Sequence, residues 1–520
     1  MRYDRKIKHI LLAFVFTLLV VFVVLSLRSF LMRGSENMTL KVALNTSTPI
    51  QELDTKKITD SSDYSVLELM LSTLVEYNNQ GEIVGGIAER FYWDENRLIF
   101  EFRETYFSSG KRITPEDAIA SFKRLMILNT NSHGDLVNLL CIKKRPQRLD
   151  DDCEGMKAEG NRLILITDKP TQFLLPLLTS VEYGILPLES FANPELRIRS
   201  FANTSGVYRL HEREDKFVLM ANERHWHYRK TIPQIVEFVA FDFDSKSEQS
   251  AQNLFQGGKV DFIPTASEIR LSNVESMKKE AKKSFRVNTT NPMALAYAEF
   301  TGTGLALPVE TRRKIIACIR REVGKNAFND NNGRVATIQI LPPSSEGNLS
   351  LEQTQKIESE LQRYESSCDL SGVRIAVPEF LVDFYETALN AKANKLTIVP
   401  FPDVARFGNR TDSDVPELTV AGVDVTAIED INFISYSVKN GILVPPGGQI
   451  PAEWLKTYFD TPEKAARMAM LQKIQFHTIW ENPKIIPISI RPFVSVIDSR
   501  WKTDFSKLFP NDPFWKIELE

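Results

Sequence analysis

Apolar and polar residues alternate through Leu40–Asn45, as in a strand with one buried face. Residues 65–76 change period: Val66, Leu69, Met70, Thr73 and Leu74 recur at three and four, which predicts a helix. Residues 97–103 return to strand patterning. A helix start follows, with Thr114 as N-cap, Pro115 at the first turn and Asp117 completing a capping box. Ala118, Phe122, Leu125 and Met126 then line one face. Further strands are expected at 162–167, 216–220, 235–241, 373–377, 396–399, 417–423 and 485–497. Pro308 opens a helix with Ile315, Ile316, Ile319 and Val323 on one side, and Thr461-Pro462-Glu463 opens another running toward Trp480. The stretches 142–153, 329–335, 341–350 and 440–451 read as loops or linkers. Strands and helices alternating over this length predict an α/β architecture with more than one sheet.

One segment fits neither period. Ile10–Leu27 carries no charge, and its eighteen residues would span ~27 Å as a helix, close to a bilayer core. Arg2, Arg5, Lys6 and Lys8 precede it, and only Arg28 and Arg33 follow closely. That bias puts the N-terminus inside and the body outside. The run is longer than a secretory core and large residues follow it, so a retained anchor is expected. Cleavage near Val24-Leu25-Ser26 is the alternative. No cysteine lies nearby to carry a lipid.

With 43% hydrophobic and 25% charged residues, the remainder is an ordinary globular body. A net charge of -3 gives no polyanion-binding signal, so nucleic acid is not an expected partner. The basic clusters Lys278-Lys279, Lys282-Lys283, Arg312-Arg313-Lys314 and Arg320-Arg321 sit in helix-like segments among acids and read as solvated faces. Cys141 and Cys153 bracket a short polar stretch. They form a local disulfide in an oxidising compartment, or remain two thiols. Cys318 reads as a small buried hydrophobe.

Catalytic and cofactor signatures fail one by one. There is no GxSxG elbow, HExxH pair, Walker loop or Rossmann fingerprint, and Gly302 and Gly304 lack a third glycine. His225 and His227 could pair on a metal if they lay on a strand, but HWHYR reads better as an aromatic turn. Asp150-Asp151-Asp152 lacks calcium-loop spacing and reads as a solvated acidic loop. No metal or cofactor is expected, and the chain reads as a binder rather than an enzyme.

Several ordered motifs carry a family resemblance. Leu74-Val75-Glu76-Tyr77, Gly81-Glu82-Ile83-Val84, Phe107-Ser108-Ser109-Gly110-Lys111 and Ile113-Thr114-Pro115-Glu116-Asp117-Ala118 come in sequence. Thr204-Ser205-Gly206-Val207-Tyr208, Ala221-Asn222 with His225-Trp226, Leu254 to Asp261 and Arg312 to Glu322 follow. Together they resemble the peptide/nickel solute-binding proteins of ABC importers, over about Leu40 to Ile497.

The resemblance implies a two-lobed, type II periplasmic-binding-protein fold with an extra domain in lobe I, preceded by one transmembrane helix. The implied division is 1–33 stub and anchor, 38–285 lobe I, 286–480 lobe II and 481–520 a return to lobe I. The implied function is delivery of a peptide or other small solute to ABC permease subunits by cleft closure, as a monomer at the extracytoplasmic face. The competing reading is a non-transport relative acting as a membrane-anchored sensor or envelope interaction protein. The implied ligand contacts are Asn45, Tyr77, Gly422, Val423, Asp424, Thr426, Asn432 and Phe433. Where peptide binders carry an aspartate for the ligand's ammonium, Thr426 stands here, with Asp424 the nearby carboxylate that can take the role.

Overall fold

The structure, a computed structural model, describes residues 38–401, 415–424 and 453–520, less short breaks such as 46–48, 129–135 and 327–332. The segment 10–27 expected as an anchor lies outside the described residues. No helix among those described is long and apolar enough to cross a membrane.

Strand β1 (Thr39–Ala43) leads to a helix, Ser61–Met70, and a hairpin of β2 (Val75–Tyr77) and β3 (Ile83–Gly85). Then β4 (Ala88–Asp94), β5 (Arg97–Phe102), β6 (Met156–Glu159) and β7 (Arg162–Ile166) form an antiparallel sheet in the order β4-β5-β7-β6. The helix Pro115–Leu128 lies between β5 and β6 in sequence. The large sheet takes β8 (Tyr208–Arg213), β9 (Lys216–Ala221), β10 (Ile235–Val239), β11 (Phe262–Ile263), β12 (Phe285–Phe300), β13 (Val335–Ala336), β14 (Arg374–Pro378), β15 (Thr397–Phe401), β16 (Leu418–Asp424) and β17 (Ile485–Asp498). Its order is β15-β14-β16-β12-β17-β11-β1-β10-β9-β8, with β13 also on β17. A last pair, β18 (Trp501–Thr503) and β19 (Ile517–Leu519), closes the C-terminus.

Two long strands join the halves of this sheet. β12 and β17 pair antiparallel from Phe285↔Asp498 to Glu299↔Ile485. At one end they neighbour β11 and β1, and at the other β16 and β14. The apolar cores divide the same way. Leu40, Val42, Leu67, Leu219 and Phe262 pack together at one end, and Ile315, Ile319, Ile375, Leu418 and Ile486 at the other. A third core, with Phe100, Phe122, Leu163 and Tyr183, fills the small sheet.

Local chemistry explains the elements. The Thr114 N–H donates to the Asp117 carboxylate at 3.0 Å, so the acid reaches back over the helix start as a capping box requires. Ala118, Phe122, Leu125 and Met126 are all buried. Arg124 on the same helix is fully buried. Its guanidinium meets Asp54 at 2.5 Å, Thr55 Oγ1 at 3.1 Å and the Leu196 carbonyl at 2.7 Å. The helix expected at 65–76 runs instead over Ser61–Met70, because Val75–Tyr77 pairs with Ile83–Gly85. Gly206 sits where a Cβ would lie 2.3 Å from the Met70 carbonyl carbon, so this segment docks on the helix end only with glycine.

Two basic clusters are not solvated faces. Arg312 is 4% exposed; it donates to the Leu307 carbonyl at 3.2 Å and to Asn482 Oδ1 at 2.7 Å, and also to the Pro483 carbonyl. Arg320 donates to the carbonyls of Thr337 and Pro487. The charge pattern among acids is the same as for a surface helix, but Arg312 and Arg320 bind the carbonyls of Leu307, Pro483, Thr337 and Pro487 and the Asn482 side chain. Cys318 is buried as expected, yet it also pairs with Cys368.

Candidate functional site

The site follows from strand direction. β12 runs from the first half of the sheet to the second. β16 is antiparallel to it, from Leu418↔Phe300 to Asp424↔Ala294, so β16 points back toward the middle. β14 and β15 are parallel to β16 and point the same way. In the first half, β11 is antiparallel to β17, while β1 and β10 are parallel to β11. Their carboxyl ends therefore face the middle from the opposite side. Ligands of open α/β sheets bind beyond the carboxyl ends of such strands.

The middle is irregular for a sequence reason. Register shifts fall between Thr289 and Pro292, Pro292 and Ala294, and Ala296 and Tyr297. Pro292 stands opposite Pro492, and Tyr297 opposite Pro487. Proline cannot donate to a ladder and is tolerated at bulges or edges. The prolines thus break the pairing where the two halves meet. The Thr290 hydroxyl repairs one gap by accepting the Phe493 N–H at 2.9 Å.

The far edge of β17 is also interrupted. β11 pairs with Val496 and Ile497, and β13 with Ser489 and Ile490. Between them, Arg491–Ser495 has no strand on that edge among the described residues. Arg491 stands opposite Ala294, which itself stands opposite Asp424. The ring of Phe493 lies 5.5 Å from the Arg491 guanidinium carbon.

The expected contacts fall in different places. Asn45 follows β1 at the central end of the strand, but its amide is bound to one main-chain unit. Nδ2 donates to the Phe241 carbonyl at 2.7 Å, and Oδ1 accepts the Phe241 N–H at 2.9 Å. It clamps the ends of adjacent strands. Tyr77 lies on β2 with its ring 5.2 Å from that of Phe509. The same hairpin is tied to the C-terminal segment by Asn79, which donates to Asp504 Oδ2 at 3.0 Å and accepts from Ser506 through its carbonyl. That segment reaches the crossing where the Asn291 N–H meets the Lys507 carbonyl at 2.8 Å. Gly422, Val423 and Asp424 form the carboxyl end of β16, opposite Ala296, Leu295 and Ala294. Thr426, Asn432 and Phe433 lie outside the described residues. Cys141 and Cys153, away from the crossing, have their sulfurs 2.02 Å apart.

The HWHYR turn is packed, not open. The His225 Nδ1 accepts the His227 N–H at 3.1 Å, so its other nitrogen is the one that donates to Ser72 Oγ at 3.0 Å. Burial, with His227 and Arg103 adding positive charge, holds His225 well below the usual imidazole range. His227 pairs with Glu76 at 2.9 Å and stacks on Trp515.

Arg491 and the proline-marked crossing were not among the expected site residues. Their sequence signal was prolines inside an apolar strand run, at Pro487 and Pro492.

A family model described as bacterial extracellular solute-binding proteins, family 5, matches residues 82–340. The Escherichia coli K12 periplasmic murein peptide-binding protein MppA is 25% identical over 222 residues, a stretch covering 40% of each protein. The match therefore spans less than half of that relative. Among solved structures, the E. coli murein tripeptide binding protein MppA is similar at a TM-score of 0.67 and 16% identity, over 92% of this chain and 98% of that one. Helicobacter pylori DppA in complex with the peptide STSA gives 0.69 and 14%, over 93% and 98%. Staphylococcus aureus NikA in complex with Ni(L-His)2 gives 0.66 and 11%, over 93% and 100%. These likenesses establish the α/β periplasmic-binding-protein fold.

Proposed function

We propose, from the premise that this chain belongs to the bacterial extracellular solute-binding proteins of family 5, that it captures a small solute between two lobes and delivers it to an ABC importer. The observation that carries the reading is the convergence of carboxyl strand ends, from both halves of the sheet, on the crossing of β12 and β17. Two bulged strands are a suitable hinge, because a few residues at 290–297 can absorb the rotation.

Lobe I comprises 38–285 with 481–520 and holds the small sheet as its extra domain. Lobe II comprises 286–480, with the crossing strands shared. The distinct cores of the two ends support this division. Relatives named for murein peptides and for a peptide complex favour a peptide cargo. A nickel–histidine complex in another shows that the fold serves other solutes. Asp424 takes a cationic group of the solute, with Asn45 and Tyr77 shaping the lobe I side through Phe241 and Phe509. Gly422, Val423, Thr426, Asn432 and Phe433 belong to the opposing loop.

The body stands on the extracytoplasmic side, as the family description implies, and pairing of all four cysteines suits an oxidising compartment. Ile10–Leu27 holds it to the membrane.

The test is mass spectrometry of solute released from the purified full chain, with small-angle scattering before and after its return. A bound small molecule whose return contracts the particle is the expected result. An empty chain whose dimensions no peptide or peptide-like solute changes would overturn the reading.

A further inference from the structure

The C-terminal loop Asp504–Phe509 lies between two parts of the molecule that are far apart in sequence. On one side is the turn that joins β2 to β3. Asn78 Oδ1 accepts the N–H groups of Gln80 and Glu82 at 2.9 and 3.0 Å, and Gly81 takes a positive φ of 82°. The turn therefore closes tightly with Asn79 at its tip. The Asn79 amide donates to Asp504 Oδ2 at 3.0 Å, and its oxygen accepts from Lys516. The Phe509 ring lies 5.2 Å from that of Tyr77. Burial lowers the Lys516 ammonium from its usual range, with Asp504, Glu76 and Glu68 pulling against that shift. The C-terminal segment is thus seated on the hairpin.

On the other side is β12. Strand β16 covers one of its edges only from Ala294 to Phe300. Among the described residues, no strand lies beside Phe285–Met293 on that edge. The C-terminal segment takes the place of one. Thr503 Oγ1 donates to Asn288 Oδ1 at 3.0 Å, and the Asn291 N–H donates to the Lys507 carbonyl at 2.8 Å. Asn291 falls inside the register break between Thr289 and Pro292, where the two halves of the sheet meet.

The two attachments share one peptide unit. The Lys507 carbonyl receives Asn291, and the N–H of the same unit, on Leu508, donates to Ser506 Oγ at 3.2 Å. The Ser506 hydroxyl in turn donates to the Asn79 carbonyl at 3.0 Å. An unbroken chain of hydrogen bonds therefore runs from Asn291 through Lys507–Leu508 and Ser506 to Asn79. Bonds in such a chain polarise one another, and contiguous polar networks of this kind carry energetic coupling between separated sites.

We propose that this chain is a relay tying the hinge backbone at Asn291 to the β2–β3 hairpin, so that the hairpin's hold on Ser506 sets how freely the two halves rotate. The relay rests on the solute-capture reading and adds its regulation. A solute seated against Tyr77 stills the hairpin and Phe509, and the stilled loop fixes Asn291 in turn. Releasing the loop gives the hinge one more free residue.

The experiment is hydrogen exchange read by mass spectrometry on the full chain without added solute. Ser506→Ala, Ser506→Thr and Asn79→Ala are compared with the wild type. Alanine at 506 removes the middle donor, and threonine restores the hydroxyl. Exchange across 288–294 should speed up roughly 2- to 10-fold in Ser506→Ala, the scale of one net hydrogen bond. Ser506→Thr should stay near the wild type. Strand β14, in the other half, is the reference and should keep its wild-type rate. Asn79→Ala loosens the turn without altering the loop or the hinge. It should speed the same peptide, and it serves alone if the serine variant does not fold. A loop that merely packs would lose protection only at 76–82 and 504–509. No acceleration at 288–294 beyond that of β14, in either alanine variant, would overturn the proposal. Because no solute takes part, that failure would leave solute capture standing. A chain that passes this test yet binds no solute would keep the relay and lose the capture reading.

Discussion

Arg124 shows what a single buried charge does in this protein. It lies with no exposed area, and Asp54 and Thr55 share its donors with the Leu196 carbonyl. Removing one member of such a pair strands the other in a medium that solvates it poorly. Arg124→Leu should therefore cost about 3–5 kcal/mol in urea unfolding. Arg90→Ala, which breaks a pair whose arginine is 75% exposed, should cost no more than about 1 kcal/mol. The sequence made the helix carrying Arg124 legible, because Thr114 and Asp117 are three residues apart. It could not make the ion pair legible, because Asp54 lies 70 residues away. Arg491 carries no local signal for the same reason, since only the pairing of distant strands sets it opposite Ala294. Asn45 was picked out at its strand end, but its amide faces Phe241, and no local pattern encodes that partner.

At the scale of elements, regular strands and helices were readable where burial had one period. Strands β5, β7 and β17 and the helices Pro115–Leu128 and Val309–Asn326 lie close to where their patterns put them. β12 is not legible in the sequence because Pro292 interrupts it, and only pairing with β17 on both sides of the bulge keeps it one strand. The close approach at Gly206 is a second feature of this scale. Gly206→Ala drives a Cβ to 2.3 Å from Met70 main chain and separates the helix Ser61–Met70 from the start of β8. It should cost about 3 kcal/mol in urea unfolding. Gly324 is the contrast. It lies inside the helix Val309–Asn326 with nothing within 4 Å of a built Cβ, so Gly324→Ala should stabilise by about 0.5–1 kcal/mol in the same assay.

For the whole molecule, the two cystines brace different halves. Cys141–Cys153 ties a loop beside the core of the small sheet, with a sequence separation of 12. Cys318–Cys368 spans 50 residues and joins the helix Val309–Asn326 to the segment after Leu351–Glu365. Longer closed loops restrict the unfolded chain more, by about 4 kcal/mol for the second against about 3 for the first. The double serine variant at 318 and 368 should lose more stability in urea than that at 141 and 153. Equal losses would argue against loop entropy as the cause. The first pair was visible as a candidate because its cysteines are close in sequence. The second was not, since Cys318 alone fits the apolar side of its helix.

An open cleft has a cost for solubility as well as a use in binding. Among the described residues, the stretch Arg491–Ser495 has no partner strand on one edge, and such an edge is a template on which a second chain can add. The stretch carries its own protection: Pro492 lacks the N–H that an added strand would need, and Arg491 places a charge that a stacking neighbour would have to bury. The guard against self-association is thus built from the residues that border the site, so substitutions that widen ligand choice there would also test how readily the empty protein self-associates.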